Sequence, residues 1–264
     1  MTTEYRKYDA AQQHVRDSYK LARQHQTVDF VKQMHTKYLQ FNRQIDIWEV
    51  HQYLETMIDL SDPDTQLANG HHDLQTAESM RRDGQPDWMI LAGFLHDFGK
   101  IITKWGTVTD GTSIDTQWAV VGDTYIVGCE IPDSIVYPEY NQLNPDMSKS
   151  ETNSKCGIYQ PNCGLDNCLI SFGHDEYMYQ VLINNNTTLP EEALYAIRYH
   201  SLYLHHRENA YKHLLSDKDQ QLLPTLKTFN SYDLYTKHDD IPKLDKDYYT
   251  NLILKYLPST VLRW

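Results

Sequence analysis

Apolar residues recur at helical spacing along most of the chain. Between residues 15 and 41 they fall at three- and four-residue intervals among polar positions, and residues 47–58 repeat the pattern. Both stretches are therefore predicted to be amphipathic helices. Further helices are predicted at residues 88–95, around 163–183, from Leu189 onwards, and at 217–231 and 246–257.

One stretch favours strands instead. Residues 118–127 contain two short runs of β-favouring side chains around Gly122 and Asp123, which predicts a hairpin turn. The chain has no internal repeat and no low-complexity tract. The predicted fold class is therefore mostly α, a helical bundle with at most a short β-hairpin.

Length and charge narrow the classes of protein. The 264 residues suffice for one sizeable core, and no linker rich in Gly, Ser or Pro divides them, so a single domain spanning 1–264 is expected. A net charge of -12 argues against nucleic acid and anionic membranes as partners. Without a leader-like or membrane-spanning segment, a cytoplasmic protein is expected. The four cysteines form no Cys-x-x-Cys pair and are predicted to be free thiols.

The pair His96 and Asp97 ends the apolar run at 88–95. Imidazole and carboxylate together suit a hard or borderline cation such as iron, manganese or zinc. A carboxylate beside an apolar segment is also costly unless positive charge neutralises it. The pair alone could equally be a helix-terminal ion pair, so the metal hypothesis depends on finding further ligands.

Residues of the same two types occur in other segments predicted to be helical. They are His72, His174, His200 and Asp233. His200 follows Ile197 by three residues and is therefore predicted to face inwards with it. The resulting four imidazoles and two carboxylates exceed what one tetrahedral zinc needs and suit two octahedral metals with open positions. The sequence therefore predicts a dinuclear centre.

Long motifs surround these candidate ligands. They include Leu95-His-Asp-Phe-Gly-Lys100, Gln117-Trp-Ala-Val-Val-Gly-Asp-Thr124, Gly173-His-Asp-Glu-Tyr-Met-Tyr-Gln-Val181 and Asp233-Leu-Tyr-Thr-Lys237. In this order they resemble the myo-inositol oxygenase family, a diiron branch of the HD-domain superfamily, over nearly the whole chain. The sequence departs from the family pattern at His71, where an aromatic residue is usual, and at residues 107–116, which look like an inserted polar loop.

The resemblance implies an HD-domain-like bundle that cleaves the ring of myo-inositol with dioxygen to D-glucuronate. The cofactor would be two iron ions, mixed-valent Fe(II)/Fe(III) in the active form, and the protein would be a monomer. The implied metal ligands are His72, His96, Asp97, His174, His200 and Asp233. The implied substrate-binding residues are Arg6, Asp59, Leu60, Ser61, Lys100, Gly122, Asp123, His200, Ser201 and Lys237. Lys100 is also the expected catalytic residue, because an ammonium stabilises a substrate alkoxide.

Two other functions use the same residue types. An HD-domain phosphohydrolase would activate water at the His96-Asp97 metal and would need cations for the phosphate. Lys100, Arg198, Arg207 and Lys237 could supply these cations. A non-catalytic store of metal or dioxygen would also fit a helical bundle, although it would not need the polar segments around Asp59 and Asp123.

Overall fold

The computed structural model describes residues 6–64, 67–235 and 241–264, and most of this chain is helical. The α-helices are α1 (Gln13–His25), α2 (Val28–Tyr38), α3 (Ile47–Leu54), α4 (Asn69–Arg82), α5 (Asp87–Leu95), α6 (His174–Asn184), α7 (Glu191–Tyr199), α8 (Tyr203–His206), α9 (Asp217–Tyr235) and α10 (Lys246–Tyr256). Short 3-10 helices span Tyr8–Ala10, Phe98–Lys104, Pro138–Leu143, Pro145–Ser148 and Leu165–Asn167. Strands β1 (Gln44–Asp46) and β2 (Val261–Arg263) pair antiparallel. The prediction of a mostly α fold is confirmed.

Helix α5 forms the centre of the core. Every residue from Met89 to Leu95 is buried, and a helix that is apolar on all sides needs neighbours on all sides. Helices α4, α7, α9 and α10 provide these neighbours, and α6 packs on α7. The end of α5, where His96 and Asp97 lie, is therefore inside the bundle.

The helix predicted over residues 15–41 is two helices, α1 and α2. The side chain of Thr27 caps the start of α2 by accepting a hydrogen bond from Phe30 N. The preceding Gln26 side chain exchanges two hydrogen bonds with the backbone of Phe172, at 2.7 and 2.9 Å. This distant contact holds the chain at the break, and it was not visible from local spacing.

The hairpin predicted at residues 118–127 is wrong. Residues 118–121 and 124–127 are all buried, so the two runs do not alternate between a buried and an exposed face, and from residue 123 onwards the backbone bonds to distant segments instead. Thr124 N donates to Ser201 O at 3.0 Å, and Val127 N donates to Leu169 O at 2.9 Å. The segment therefore crosses the core as an irregular connector.

The polar loop at residues 107–116 is attached to the end of α2. Asp110 accepts hydrogen bonds from Lys37 Nζ at 2.6 Å and from Tyr38 OH at 2.9 Å. Burial acts to raise the pKa of Asp110, but hydrogen bonds from Lys37 and from the loop outweigh it and lower the pKa to about 2. The loop thus has a fixed place beside the core.

Among the described residues, no helix combines the length and apolarity needed to cross a bilayer.

Candidate metal centre

Two candidate ligands follow directly after helices that pack on each other. His96 follows the end of α5 and His200 follows the end of α7. In each case Nδ1 donates to the carbonyl three residues earlier, His96 to Gly93 O and His200 to Ile197 O, both at 2.8 Å. A carbonyl oxygen can only accept, so the proton is on Nδ1 and the lone pair on Nε2 is available for a metal.

His174 has the same arrangement by a different route. It is the first residue of α6, and its Nδ1 donates to Val120 O at 2.6 Å. Its backbone N donates to the same carbonyl at 2.9 Å. Gly99 passes so close that a Cβ there would lie 1.9 Å from the His174 carbonyl oxygen. This close approach therefore requires glycine at position 99.

The Nε2 atoms and the carboxylates converge in two adjoining groups. In the first, Asp233 Oδ1 lies 2.8 Å from His72 Nε2 and 3.5 Å from His96 Nε2. In the second, Asp97 Oδ1 lies 2.9 Å from His174 Nε2 and 3.7 Å from His200 Nε2. His96 Nε2 also lies 3.8 Å from Asp97 Oδ1 and so connects the two groups.

The close approach of these nitrogen and oxygen donor atoms suits bound cations. The Nε2 atoms of His174 and His200 are 3.0 Å apart. Because both rings carry their proton on Nδ1, both Nε2 atoms are acceptors and cannot hydrogen-bond to each other. Burial acts to raise the pKa of Asp97, but Lys100 and the neighbouring histidines outweigh it and hold that pKa well below its usual range. Burial also acts to raise the pKa of Asp233, but His72 and His96 outweigh it and lower that pKa. The donor set of imidazole nitrogens and anionic oxygens therefore fits two metal ions.

Asp73 was not among the predicted residues. It is fully buried, and neither carboxylate oxygen has a hydrogen-bond partner among the described residues. Its Oδ1 lies 3.8 Å from Nδ1 of His96. Burial and the nearby Asp97 raise the pKa of Asp73 well above its usual value. Because Asp73 faces the Nδ1 side of the ring, it does not join the converging ligand atoms.

A polar cleft opens beside the two groups and includes all six candidate ligands in its lining. The predicted substrate residues that also line it are Arg6, Asp59, Ser61, Lys100, Gly122, Asp123 and Ser201. Leu60 is not in this lining, and its backbone N donates to Gln117 Oε1 at 3.2 Å. Lys237 lies outside the described residues, so its predicted role stays a prediction.

Lys100 joins the cleft to the metal ligands. Its Nζ donates to Asp59 Oδ2, Asn69 Oδ1 and Asp97 Oδ2, each at 2.8 Å. Burial acts to lower the pKa of Lys100, but the two aspartates outweigh it and raise the pKa. Asp59 is oriented in turn by the backbone N and the hydroxyl of Ser61, at 2.7 and 2.6 Å. Asn69 had no signal in the sequence that distinguished it from an ordinary helix-start residue.

Arg6 and Asp123 also line the cleft and pair with each other. The guanidinium of Arg6 makes two hydrogen bonds to the Asp123 carboxylate, at 3.0 and 2.5 Å. It also stacks on the ring of Tyr203, 3.5 Å from the centroid. The hydroxyl of Tyr19 donates to Asp123 Oδ1 at 3.2 Å. Tyr203 and Tyr19 were not predicted, because tyrosines at helical spacing are usually packing residues.

Three residues whose role the sequence left open lie away from the cleft. His71 Nδ1 is 3.9 Å from Glu55 Oε1, so His72 and not His71 faces the candidate metal groups. Arg198 pairs with Glu176 at 2.6 Å and with Asp166 at 3.0 Å. Arg207 is 3.7 Å from Glu208, and neither arginine lines the cleft.

The fold and the site together define a class. Helices that present four histidines and two aspartates to one buried centre beside a polar cleft form a helical metalloprotein with a candidate dinuclear site.

The comparison with known proteins identifies the family. Residues 12–264 match the sequence profile described as Myo-inositol oxygenase, and the chain belongs to this family. It is 43% identical over 269 residues to inositol oxygenase of Danio rerio, covering 99% of this chain and 94% of that protein. It is 44% identical over 269 residues to inositol oxygenase 1 of Arabidopsis thaliana, covering 98% and 84%. It is 44% identical over 252 residues to inositol oxygenase of Homo sapiens, covering 94% and 85%. The resemblance inferred from the motifs is confirmed.

Proposed function

We propose that this protein is a diiron oxygenase that cleaves the ring of myo-inositol with dioxygen to give D-glucuronate. The observation that carries the proposal is the convergence of six buried imidazole and carboxylate donors beside a polar cleft, in a chain of the myo-inositol oxygenase family. A cytoplasmic location and a monomeric state accompany this proposal as predictions.

The two candidate groups would each hold one iron. His72, His96 and Asp233 form one set, and Asp97, His174 and His200 form the other. When bound, a mixed-valent pair would supply the electron that activates dioxygen and the positive charge that polarises hydroxyl groups. The two carboxylates bring about two negative charges against about five positive ones, so the centre keeps a positive surplus that acidifies nearby hydroxyls.

Lys100 is the proposed catalytic residue. Its ammonium is buried, lines the cleft, and is held by Asp59, Asn69 and Asp97 at one fixed position. A fixed positive charge favours the ionised form of a substrate hydroxyl that reaches it. Lys100 would therefore help a ring hydroxyl to lose its proton and would hold the resulting alkoxide.

The remaining polar residues of the cleft suit a neutral polyol. Arg6 and Asp123 neutralise each other, and the carboxylate of Asp59 is neutralised by Lys100, so these pairs offer hydrogen bonds without a large net charge. A ring that carries hydroxyl groups and no charge needs such a set of donors and acceptors. The backbone at Gly122 and the hydroxyl of Ser201 would add further contacts.

The arrangement does not favour the phosphohydrolase. A phosphate needs free cations at the metal, and Arg198 and Arg207 lie elsewhere. Lys237 lies outside the described residues, and the chain matches the oxygenase family over residues 12–264. A simple store of metal or dioxygen is not favoured either, because it would not require the polar wall around Arg6 and Asp123.

The proposal is tested by dioxygen uptake. Iron-loaded protein should consume dioxygen when myo-inositol is added and should form glucuronate in step with the uptake. Protein loaded with redox-inert zinc should do neither, and an open-chain polyol should serve as the control substrate. Steady phosphate release from nucleotides or inositol phosphates without air, together with no dioxygen uptake on myo-inositol, would overturn the proposal in favour of the hydrolase.

A further inference from the structure

A pair of cysteines lies outside the candidate metal centre, in the loop that precedes α6. The Sγ atoms of Cys163 and Cys168 are 3.7 Å apart. All four cysteines of the chain are free thiols in this structure, as the sequence predicted. Covalent bonding requires the two sulfur atoms to approach to about 2.05 Å, so the thiols lie near each other but are not bonded.

The loop holds these two thiols together. The 3-10 helix Leu165–Asn167 separates them, and Gly164 at its start has φ +87, which favours glycine. Gly164 N donates to Leu214 O at 2.8 Å, and Cys168 N donates to Leu165 O at 3.0 Å. Both Sγ atoms also lie 3.5 Å from the same carbonyl, Gly164 O.

Side chains anchor the same loop to two helices. Asp166 accepts from Arg198 Nη1 at 3.0 Å and from Tyr199 OH at 3.1 Å, at the end of α7. It also accepts from Lys218 Nζ at 2.7 Å, in the first turn of α9. With its backbone and its central side chain both held, the loop keeps the sulfur atoms near each other, which gives an intramolecular reaction a high effective concentration.

The two thiols differ in access. Cys163 is partly exposed, whereas Cys168 is only 4% exposed. Burial and the neighbouring Cys163 raise the pKa of Cys168. A reagent from solution therefore meets Cys163 first, and Cys168 lies behind it as a second thiol within reach.

We propose that Cys163 and Cys168 form a reversible dithiol–disulfide site that exchanges with low-molecular-weight disulfides. This site is independent of the iron centre and of inositol oxidation. An accessible first thiol beside a second thiol that can resolve the mixed disulfide is the arrangement typical of redox-active cysteines.

The exchange balances in two steps. Cys163 loses its proton to water and its thiolate attacks one sulfur of glutathione disulfide, the S–S bond breaks, and the glutathione thiolate that leaves takes up a proton from water. Cys168 then gives its proton to the departing thiolate and attacks the Cys163 sulfur, which releases the second glutathione. The two cysteines lose two electrons in total, and glutathione disulfide is reduced to two glutathione thiols. Because the closed loop is short, the disulfide gains little from restricting the unfolded chain and should be reduced again by excess glutathione.

The test exposes the full-length, metal-loaded protein to graded ratios of oxidised to reduced glutathione and maps every cysteine by mass spectrometry after alkylation. The parent protein should show a peptide linked between Cys163 and Cys168. In Cys168→Ser the glutathione adduct on Cys163 should persist at a level at least about tenfold above that in the parent, since its intramolecular resolution is lost. Cys163→Ser should carry no adduct on Cys168.

Cys129→Ser is the matched control, because Cys129 is fully buried and takes no part in the sulfur contact between Cys163 and Cys168. It should oxidise like the parent. Adducts that form first on Cys156, a stable adduct on Cys163 in the parent, or four unmodified thiols at every ratio would each overturn the proposal. The parent measurement decides the question even if a serine variant folds poorly.

Discussion

Replacing Lys100 with methionine tests the charge balance that joins the cleft to the metal ligands. Methionine keeps most of the side-chain volume but removes the ammonium that binds Asp59, Asn69 and Asp97. Removing one partner of a buried ion pair typically costs about 3–5 kcal/mol. Because the Asp59 side chain is 17% exposed, we expect the lower part of that range, about 3 kcal/mol, for protein stripped of metal.

The loss of stability caused by Lys100→Met should depend on whether metal is bound. Bound cations would neutralise Asp97 in place of Lys100, and only Asp59 would then lack a counter-charge. The metal-loaded Lys100→Met protein should therefore lose only about half as much stability as the stripped protein. Urea unfolding of both forms measures the difference. Lys104→Met is the matched control, since Lys104 is an exposed residue of the same 3-10 helix and should cost less than about 0.5 kcal/mol.

The pH dependence gives a second measure. Burial acts to raise the pKa of Asp59, but the attraction of Lys100 outweighs it and the pKa is lowered. In the parent, the stability that the ionised Asp59 carboxylate contributes is fully present above the pKa of Asp59 in the unfolded chain, about 3.9. This stability is lost as the pH falls through the lower pKa of Asp59 in the folded protein. In Lys100→Met burial is opposed only by the hydrogen bonds from Ser61, so the pKa of Asp59 should rise above its value in the parent, and the stability deficit relative to the parent should shrink as the pH falls through this raised pKa.

Turnover and stability should separate in this variant. We expect turnover to fall at least about a hundredfold, which corresponds to an increase of about 2.7 kcal/mol in the activation free energy, while iron content is retained. If the stripped variant unfolds like Lys104→Met, or if stripped and loaded proteins lose equal stability, the charge balance derived from these contacts is wrong.

Four further outcomes are expected. His174→Ala should purify with less than a full diiron complement while its helical circular dichroism is kept, and unchanged iron by elemental analysis would remove His174 from the ligand set. Asp123→Ala should keep its iron and its spectrum but lose the spectral change that inositol causes, because Arg6 is left without its partner. Gly99→Ala should destabilise the fold by about 3 kcal/mol in urea, because its Cβ meets backbone that cannot move aside. Burial lowers the pKa of His206 from 6.5 to about 3. Above pH 6.5 the ring is neutral in both the folded and the unfolded chain and stability is at its full value. Below pH 6.5 only the unfolded chain binds the proton, so stability is lost as the pH falls. The loss approaches about 1.4 kcal/mol per pH unit, and His206→Gln should flatten that part of the stability profile.

The candidate ligands could be predicted because each belongs to a helical segment with its own local signal. The apolar run before His96 and the spacing of His200 from Ile197 both indicate inward-facing positions, and the structure brings these residues together. His71 and His72 could not be separated in this way, since both begin the same helix. The contact of His71 with Glu55, the residue that follows α3, distinguishes them, and that contact depends on how α3 and α4 pack.

What the sequence could not predict depends on contacts between distant segments. The connector at residues 118–127 has the composition of a hairpin, but from residue 123 onwards its backbone N–H groups donate to residues 42 or more positions away along the chain, as in the bonds from Val127 N to Leu169 O and from Tyr125 N to Ser171 Oγ. Asn69 and Lys100 are separated by 31 positions. Local propensity contains no information about such pairs, so their roles appear only when the helices are packed.

The ends of helices explain how this fold makes a metal site with few dedicated residues. A helix leaves the carbonyls of its last turn without intrahelical partners, and its C-terminal end bears partial negative charge. In α5 and α7 the histidine that follows the helix satisfies one of these carbonyls through Nδ1. The same hydrogen bond fixes the ring and leaves Nε2 free to bind. Both helix ends therefore favour cations before any ligand is counted, and metal loading should stabilise the packing that brings α5 and α7 together.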